Sequence, residues 1–293
     1  MGPSTLRRVS DGPVLAPGTL FVVATPIGNL EDITLRALRV LREVALVAAE
    51  DTRRTGNLLR HYQIETPLVS LHEHNEHQRI APLVRRLQDG ESIAVVSDAG
   101  TPGISDPGAR LVRAAREAAI RVDAIPGPSA ITAVLSASGL SFERFAFAGF
   151  PPVRSKNRTQ WFQWVASLAD VPVVCFEAPH RIRRFLADAG GILAERPIIL
   201  ARELTKAHEE WWMGAGEVLE RGEFVVIIGQ KTEISATQAG IDDADIALLF
   251  GRITETMPAA ATRRATVRAV AAQLGLPVRA VYEALERAKK QPA

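Results

Sequence analysis

The densest run of residues able to do chemistry extends from Ser97 to Gly108, S-D-A-G-T-P-G-I-S-D-P-G. These twelve positions hold three Gly, two Pro, two Ser, one Thr and two Asp. Backbone N–H groups and short side-chain oxygens therefore stand free of apolar bulk, and a ligand can approach them closely. An ordinary strand-to-helix turn, in which Asp and Ser cap and Gly turns, uses such residues too, but at lower density and over a shorter stretch.

Five further clusters share this character. They are Thr25-Pro26-Ile27-Gly28-Asn29-Leu30, Glu50-Asp51-Thr52-Arg53-Arg54, Pro126-Gly127-Pro128-Ser129-Ala130, Glu177-Ala178-Pro179-His180-Arg181 and Glu203-Leu204-Thr205-Lys206. The carboxylates and His180 could serve acid–base chemistry, and the cations could meet phosphate. The competing reading makes Glu177, Arg181, Glu203 and Lys206 surface ion pairs and a helix cap. His72, His74 and His77 in H-E-H-N-E-H invite a metal, but the metalloenzyme pattern H-E-x-x-H is missing, so no metal is expected. A polar helix entry touching substrate or partner is the alternative for this segment. Trp161 with Trp164, and Trp211 with Trp212, read as packing rather than base stacking. Cys175, within the run Val173 to Phe176, reads as a small buried hydrophobe.

The elements that must position these clusters follow from hydrophobic patterning. Thr19 to Ala24, Ala45 to Ala49, Ile93 to Val96 and Arg121 to Ile125 are short apolar or β-branched runs, each ending in a polar cluster. Helical patterns separate them. One has Asp32 as its expected N-cap, with Ile33, Ala37, Leu41 and Val44 on its apolar face. Strands alternating with helices predict a parallel α/β sheet, whose ligands bind beyond the carboxyl ends of the strands. Neither G-x-G-x-x-G after the first strand nor a P-loop occurs, which removes the usual dinucleotide and nucleoside-triphosphate signatures.

A second α/β half begins near Phe145, with strands expected at Val171 to Phe176, Ile198 to Arg202 and Phe224 to Gly229, and helices at Asn157 to Ala169 and Arg181 to Ala194. The expected organisation is a flexible tail over 1–17, an N-terminal α/β domain over 18–140, a second α/β domain over 141–230, and a C-terminal helical module over 241–293 beyond a polar linker. In that module Thr266 to Leu274, Gly275 and Pro277 to Ala288 read as a helix-turn-helix. Arg263, Arg264, Arg268, Arg279, Arg287, Lys289 and Lys290 make it basic, which suits either phosphate contact or a solvated face.

Composition agrees. A chain of 293 residues, 47% hydrophobic, exceeds one comfortable core. A net charge of +2 permits a nucleic-acid partner without demanding one. One cysteine excludes a disulfide framework and a thiolate cluster, and makes a reducing cytoplasm the natural setting. No apolar run reaches the ~18 residues that span a bilayer, and no export signal is expected.

In this order, T-P-I-G-N-L, E-D-T-R, H-E-H-N-E, S-D-A-G-T-P-x-I-S-D-P-G, P-G-P-S-A, E-x-P-H-R and A-R-E-L-T-K resemble one family, the cytidine 2′-O-methyltransferases of small-subunit (16S) ribosomal RNA. These form a bacterial branch of the tetrapyrrole methylase superfamily. The resemblance covers about Thr19 to Gly229, and the final module is similar to the family's helix-turn-helix tail. It implies two α/β domains holding S-adenosylmethionine in the cleft between them, in a homodimer that acts on RNA within the assembled small subunit. Carried over by motif, the cofactor residues are Pro26, Asp98, Ala99, Gly100, Thr101, Ile104, Ser129, Ala130, Phe176, Leu204 and Thr205, with Glu177 also closing the site. Methyl transfer to a ribose hydroxyl profits from a base, for which His180 and Glu177 are the candidates, while Arg53, Arg54, Arg181 and Lys206 are placed to contact phosphates. A small-molecule methyltransferase of the same fold, and a non-catalytic RNA-binding assembly protein, are the rival readings.

Overall fold

The computed structural model describes residues 15–193, 196–213, 218–231, 243–256, 263–274 and 278–288. Five parallel strands, β1 Thr19–Val23, β2 Leu46–Ala49, β3 Leu68–Ser70, β4 Ile93–Val96 and β5 Arg121–Ile125, form the first sheet in the order β3-β2-β4-β1-β5. Its helices are α1 Leu35–Glu43, α2 Thr52–His61, α3 Glu76–Gln88, α4 Ala109–Glu117 and α5 Ala130–Ala137. One face packs Phe21 and Val23 against Ala37, Val40 and Leu59; the other packs Leu20 and Ile93 against Leu83, Leu87 and Leu111. Burial on both faces explains why β1, β2 and β4 read as continuous apolar runs, whereas the edge strand β5, Arg-Val-Asp-Ala-Ile, is partly exposed.

Three details depart from the patterning. β3 is a half-buried edge strand too short to leave an apolar run. The cap of α1 is Thr34, whose Oγ1 accepts from Ala37 N at 3.1 Å, while Asp32 lies in a 3₁₀ turn, Leu30–Asp32. Of the expected flexible tail, residues 1–14 lie outside the described residues, but Leu15 packs on the core and Ala16 O accepts from Ser92 Oγ at 3.0 Å.

The second sheet is mixed: β6 Ala146–Phe147, β7 Val173–Glu177, β8 Ile198–Arg202, β9 Glu210–Met213 and β10 Phe224–Ile228, in the order β6-β7-β10-β8-β9. Only β6 with β7 is parallel. Its outer face holds α6 Ser155–Ser167 and α7 Ile182–Ile192 through Phe162, Val165 and Phe185. Its inner face packs Ile199, Ala201, Val225 and Ile227 against Ile131, Val134 and Leu135 of α5, so a helix of the first lobe completes the core of the second. The two tryptophans of the unforeseen β9 point to opposite faces, Trp211 toward this shared core and Trp212 toward the outer one.

The helical module comprises α8 Asp243–Thr256, α9 Arg263–Leu274 and α10 Val278–Ala288 around Ile246, Val267, Val270, Val281 and Leu285. The expected module lacked α8. The Gly275 to Pro277 turn, Lys289, Lys290 and linker residues 232–240 lie outside the described residues. Arg263, Arg279 and Arg287 pair with Glu286, Glu283 and Asp243, whereas Arg264 and Arg268 are exposed. Among the described residues no helix is long and apolar enough to cross a membrane.

Candidate active site between the two lobes

The loops after β1, β4 and β5 are stitched into one surface. Thr25 and Gly100 exchange both backbone hydrogen bonds, at 2.9 and 3.0 Å. Thr25 Oγ1 donates to Ser97 O at 3.1 Å, and Thr101 Oγ1 donates to Pro128 O at 3.2 Å. Gly100, at φ +78°, supplies the left-handed turn this pairing requires. The far end of the loop is braced by the H-E-H-N-E segment, where buried Glu76 Oε1 accepts from Gly108 N at 2.9 Å. His77 turns away to contact Arg110, and among the described residues no His, Cys, Asp and Glu gather as a metal site.

The second lobe closes over this surface. A β-carbon on Gly28 would stand 2.6 Å from Thr205 Oγ1 and from Lys206 Cγ, and 2.7 Å from Leu204 O. Glu203 and Thr205 both take left-handed backbone angles, φ 53° and 66°, to shape the opposing loop.

Between the lobes lies a cavity of about 390 Å³. Its apolar lining comes from both lobes, Ile27, Ile104 and Ile131 from the first and Leu204 and Val225 from the second, with Phe176 set edge-on or tilted against Phe147 and Phe150 at ring-centroid distances of 5.1 and 5.5 Å. Its polar lining includes Glu50, Asp98 and Asp106, together with Arg54 and the hydroxyl residues Thr101, Ser105 and Ser129. Asp98 N donates to Glu50 Oε2 at 3.2 Å. Asp98 Oδ1 accepts from Asp51 N at 3.0 Å, and its Oδ2 faces Arg54 Nη1 at 3.4 Å. Burial, then the charges of Glu50 and Asp98, push the Asp106 carboxyl up to about 6, against a hydrogen bond with Ser97. The hydrogen bond from Arg53 to Asp51 holds the Asp51 carboxyl well below the usual range.

Of the cofactor residues carried over by motif, Asp98, Ala99, Gly100, Thr101, Ile104, Ser129, Ala130, Phe176 and Leu204 line the cavity. Pro26 and Thr205 do not; their neighbours Ile27 and Leu204 do, while Thr205 packs against Gly28. His180 is exposed on the 3₁₀ turn Pro179–Arg181 and is not among the lining residues. Glu177 borders the cavity but its side chain is fully buried, accepting from Arg181 Nη2 at 2.7 Å, Arg158 Nη1 at 3.3 Å and Ala178 N at 2.8 Å. The Glu177 carboxylate is thus taken up by two guanidiniums inside the second lobe, and His180 stands outside the cavity lining. The four expected phosphate contacts all face carboxylates: Arg53 with Asp51, Arg54 with Asp98, Arg181 with Glu177, and Lys206 with Glu203 and Glu223. Burial works against the Lys206 ammonium, yet its hydrogen bond to Glu203 and the charge of Glu223 leave it above its ordinary value. Glu50, Asp106, Phe150 and Val225 were not singled out from sequence. The first two already sat in polar clusters, but nothing in a buried strand marks Val225.

The sequence profile of the Tetrapyrrole (Corrin/Porphyrin) Methylases matches residues 19–220, the span of both sheets up to β10. The chain belongs to the tetrapyrrole methylase family. Within this family it is similar to the ribosomal RNA small subunit methyltransferase I of Synechocystis, 43% identical over 275 residues covering 91% of this chain and 96% of the relative. The protein of the same name from Pseudomonas aeruginosa is 49% identical over 225 residues, covering 73% and 79% of the two chains. Two solved structures share the tetrapyrrole methylase fold. The uroporphyrin-III-C-methyltransferase of Thermus thermophilus has TM-score 0.51 at 21% identity, covering 73% of this chain and 94% of that one. Diphthine synthase has TM-score 0.56 at 16% identity, covering 72% and 90%. At such identities they speak for the fold alone.

Proposed function

We propose that this tetrapyrrole methylase transfers a methyl group from S-adenosylmethionine to the 2′-hydroxyl of a cytidine ribose in the decoding region of small-subunit (16S) ribosomal RNA. The observation that carries the reading is the interlobe cavity, whose lining combines carboxylates with aliphatic and aromatic side chains. That donor set suits a ligand combining positive charge and hydroxyls with a flat, largely apolar ring. The names of the relatives, ribosomal RNA small subunit methyltransferase I, support the substrate class.

When bound, the cofactor supplies an electrophilic methyl group on a sulfonium. Asp98 and the backbone of Ala99 to Thr101 hold its polar end, and Ile104, Ala130, Phe176 and Leu204 enclose its apolar part. The stitched loops fix these groups before the ligand arrives, so positioning dominates catalysis. Arg54 at the rim, with Arg53 outside it, is the nearest positive charge for an RNA phosphate. The enzyme acts as a cytoplasmic homodimer on the assembled small subunit, and exposed Arg264 and Arg268 of the helical module add further phosphate contacts.

The test is methyl transfer from labelled S-adenosylmethionine to small subunits lacking the modification, mapped by nuclease digestion and mass spectrometry. Label on a cytidine ribose in the decoding region is the expected result. Label on a tetrapyrrole instead, or cofactor binding with no transfer to any RNA, would overturn it.

A further inference from the structure

The cavity contains one carboxylate whose chemistry the reading above leaves unused. Five acids border it, and four are engaged. Glu50 accepts from Asp98 N; Asp98 accepts from Asp51 N and faces Arg54; Glu177 is clamped by Arg158 and Arg181; Glu223 accepts from Lys206. Asp51 is committed to Arg53. Asp106 differs: it lines the cavity half-buried, among the described residues no cation pairs with it, and the charges that act on its carboxyl, Glu50 and Asp98, are both negative. It lines the same cavity, in a loop anchored at one end by the Thr25–Gly100 pairing and at the other by Glu76 on Gly108 N.

We infer that Asp106 is the general base of the reaction, the cavity carboxylate that takes the proton from the attacking ribose hydroxyl. The inference rests on the methyl-transfer reading of this site. As the ribose oxygen forms its bond to the methyl carbon, its O–H proton passes to a carboxylate oxygen of Asp106. The bond between methyl carbon and sulfur breaks with its electron pair remaining on sulfur, which becomes a neutral thioether, and Asp106 later releases the proton to solvent. Partial burial beside two like charges raises the basicity of this carboxylate above that of an ordinary aspartate. Arg54 pairs with Asp98, leaving Asp98 for binding and Asp106 for proton transfer.

The test compares the full-length wild type with Asp106→Asn and Asp106→Glu, both checked for cooperative thermal melts. Carboxyl-carbon NMR of the unliganded wild type should show the Asp106 signal titrating near pH 6. Single-turnover transfer to unmodified small subunits should rise with pH through the same value to a plateau. Asp106→Asn should cut the plateau rate about 100-fold or more and lose that limb, while calorimetry finds S-adenosylmethionine affinity within about threefold of wild type, a shift of under 1 kcal/mol. Asp106→Glu should keep the limb at an intermediate rate. Three results would overturn the assignment: an Asp106→Asn rate near wild type, loss of cofactor binding in Asp106→Asn, or Asp106 titrating at the ordinary aspartate value. A wild type inactive on every RNA would instead remove the methyl-transfer reading itself, and the base with it.

Discussion

Gly28 and Thr205 meet across the two lobes so closely that a β-carbon at position 28 would lie 2.6 Å from the Thr205 hydroxyl oxygen. The loop of one sheet thus docks against the loop of the other through a missing side chain, and the Leu204 carbonyl, which cannot swing aside, stands 2.7 Å from the same point. Gly28→Ala should force the lobes apart by a few tenths of an ångström or more. Expected costs are about 1–3 kcal/mol in stability and about tenfold in cofactor affinity. Thermal melting and calorimetry check both, and an unchanged affinity would show that the cavity does not depend on this contact.

Asp98 organises the polar lining through Asp51 N, its own N–H to Glu50, and Arg54. Asp98→Ala should abolish measurable binding of S-adenosylmethionine while leaving a folded protein. Titration calorimetry showing wild-type affinity would remove Asp98 from the cofactor site.

Glu177 and His180 should behave oppositely. Removing the Glu177 carboxylate leaves the buried Arg158 guanidinium with Asp188 as its remaining acid, at 2.6 Å, so Glu177→Ala should cost about 3–5 kcal/mol and lower soluble yield. Exposed His180→Ala should change stability by less than about 0.5 kcal/mol and leave the rate within about twofold. A large, purely kinetic loss in His180→Ala, with an unaltered melt, would restore the histidine as a catalytic group.

Asp106 also sets a pH dependence of stability. Its folded value of about 6 lies above the unfolded value of an aspartate, so between about pH 4 and 6 the folded state holds the extra proton. Its contribution is therefore favourable at low pH and is lost as pH rises through 6. Asp106→Asn removes the ionised form, and should raise stability at pH 8 by up to about 1 kcal/mol once solvent screening is allowed for, with little effect at pH 4. Denaturant titrations at the two pH values would expose the opposite trend.

The helical module has its own apolar core, with Ile246, Val267, Val270 and Val281 fully buried. Deleting residues 241–293 should leave cofactor affinity unchanged and raise the KM for small subunits about tenfold or more, as exposed Arg264 and Arg268 are lost. Full activity on particles after the deletion would show that the module does not recognise RNA.

Much of this architecture follows from the chain alone. β1, β2 and β4 are visible because strands covered on both faces demand uninterrupted apolar runs, edge strand β5 because it runs into the Pro126 to Ala130 cluster, and such polar clusters fall at the carboxyl ends of the strands. β3, β6 and β9 are not, since edge strands of two to four residues carry no such run. The ordered motifs singled out Asp98, Thr101, Ser129 and Phe176, which the fold brings to one cavity. What only the tertiary structure decided is which charges meet. Sequence spacing makes Glu177 and His180 equivalent neighbours of the cleft, yet β7 turns Glu177 inward between Arg158 of α6 and Arg181, while the 3₁₀ turn that follows leaves His180 in solvent. It brings Glu50, 56 positions earlier, beside Asp106 by way of two parallel strands, β2 and β4, paired in register. A carboxylate's proton affinity depends on burial and on neighbours within a few ångströms, quantities that exist only after the chain has folded.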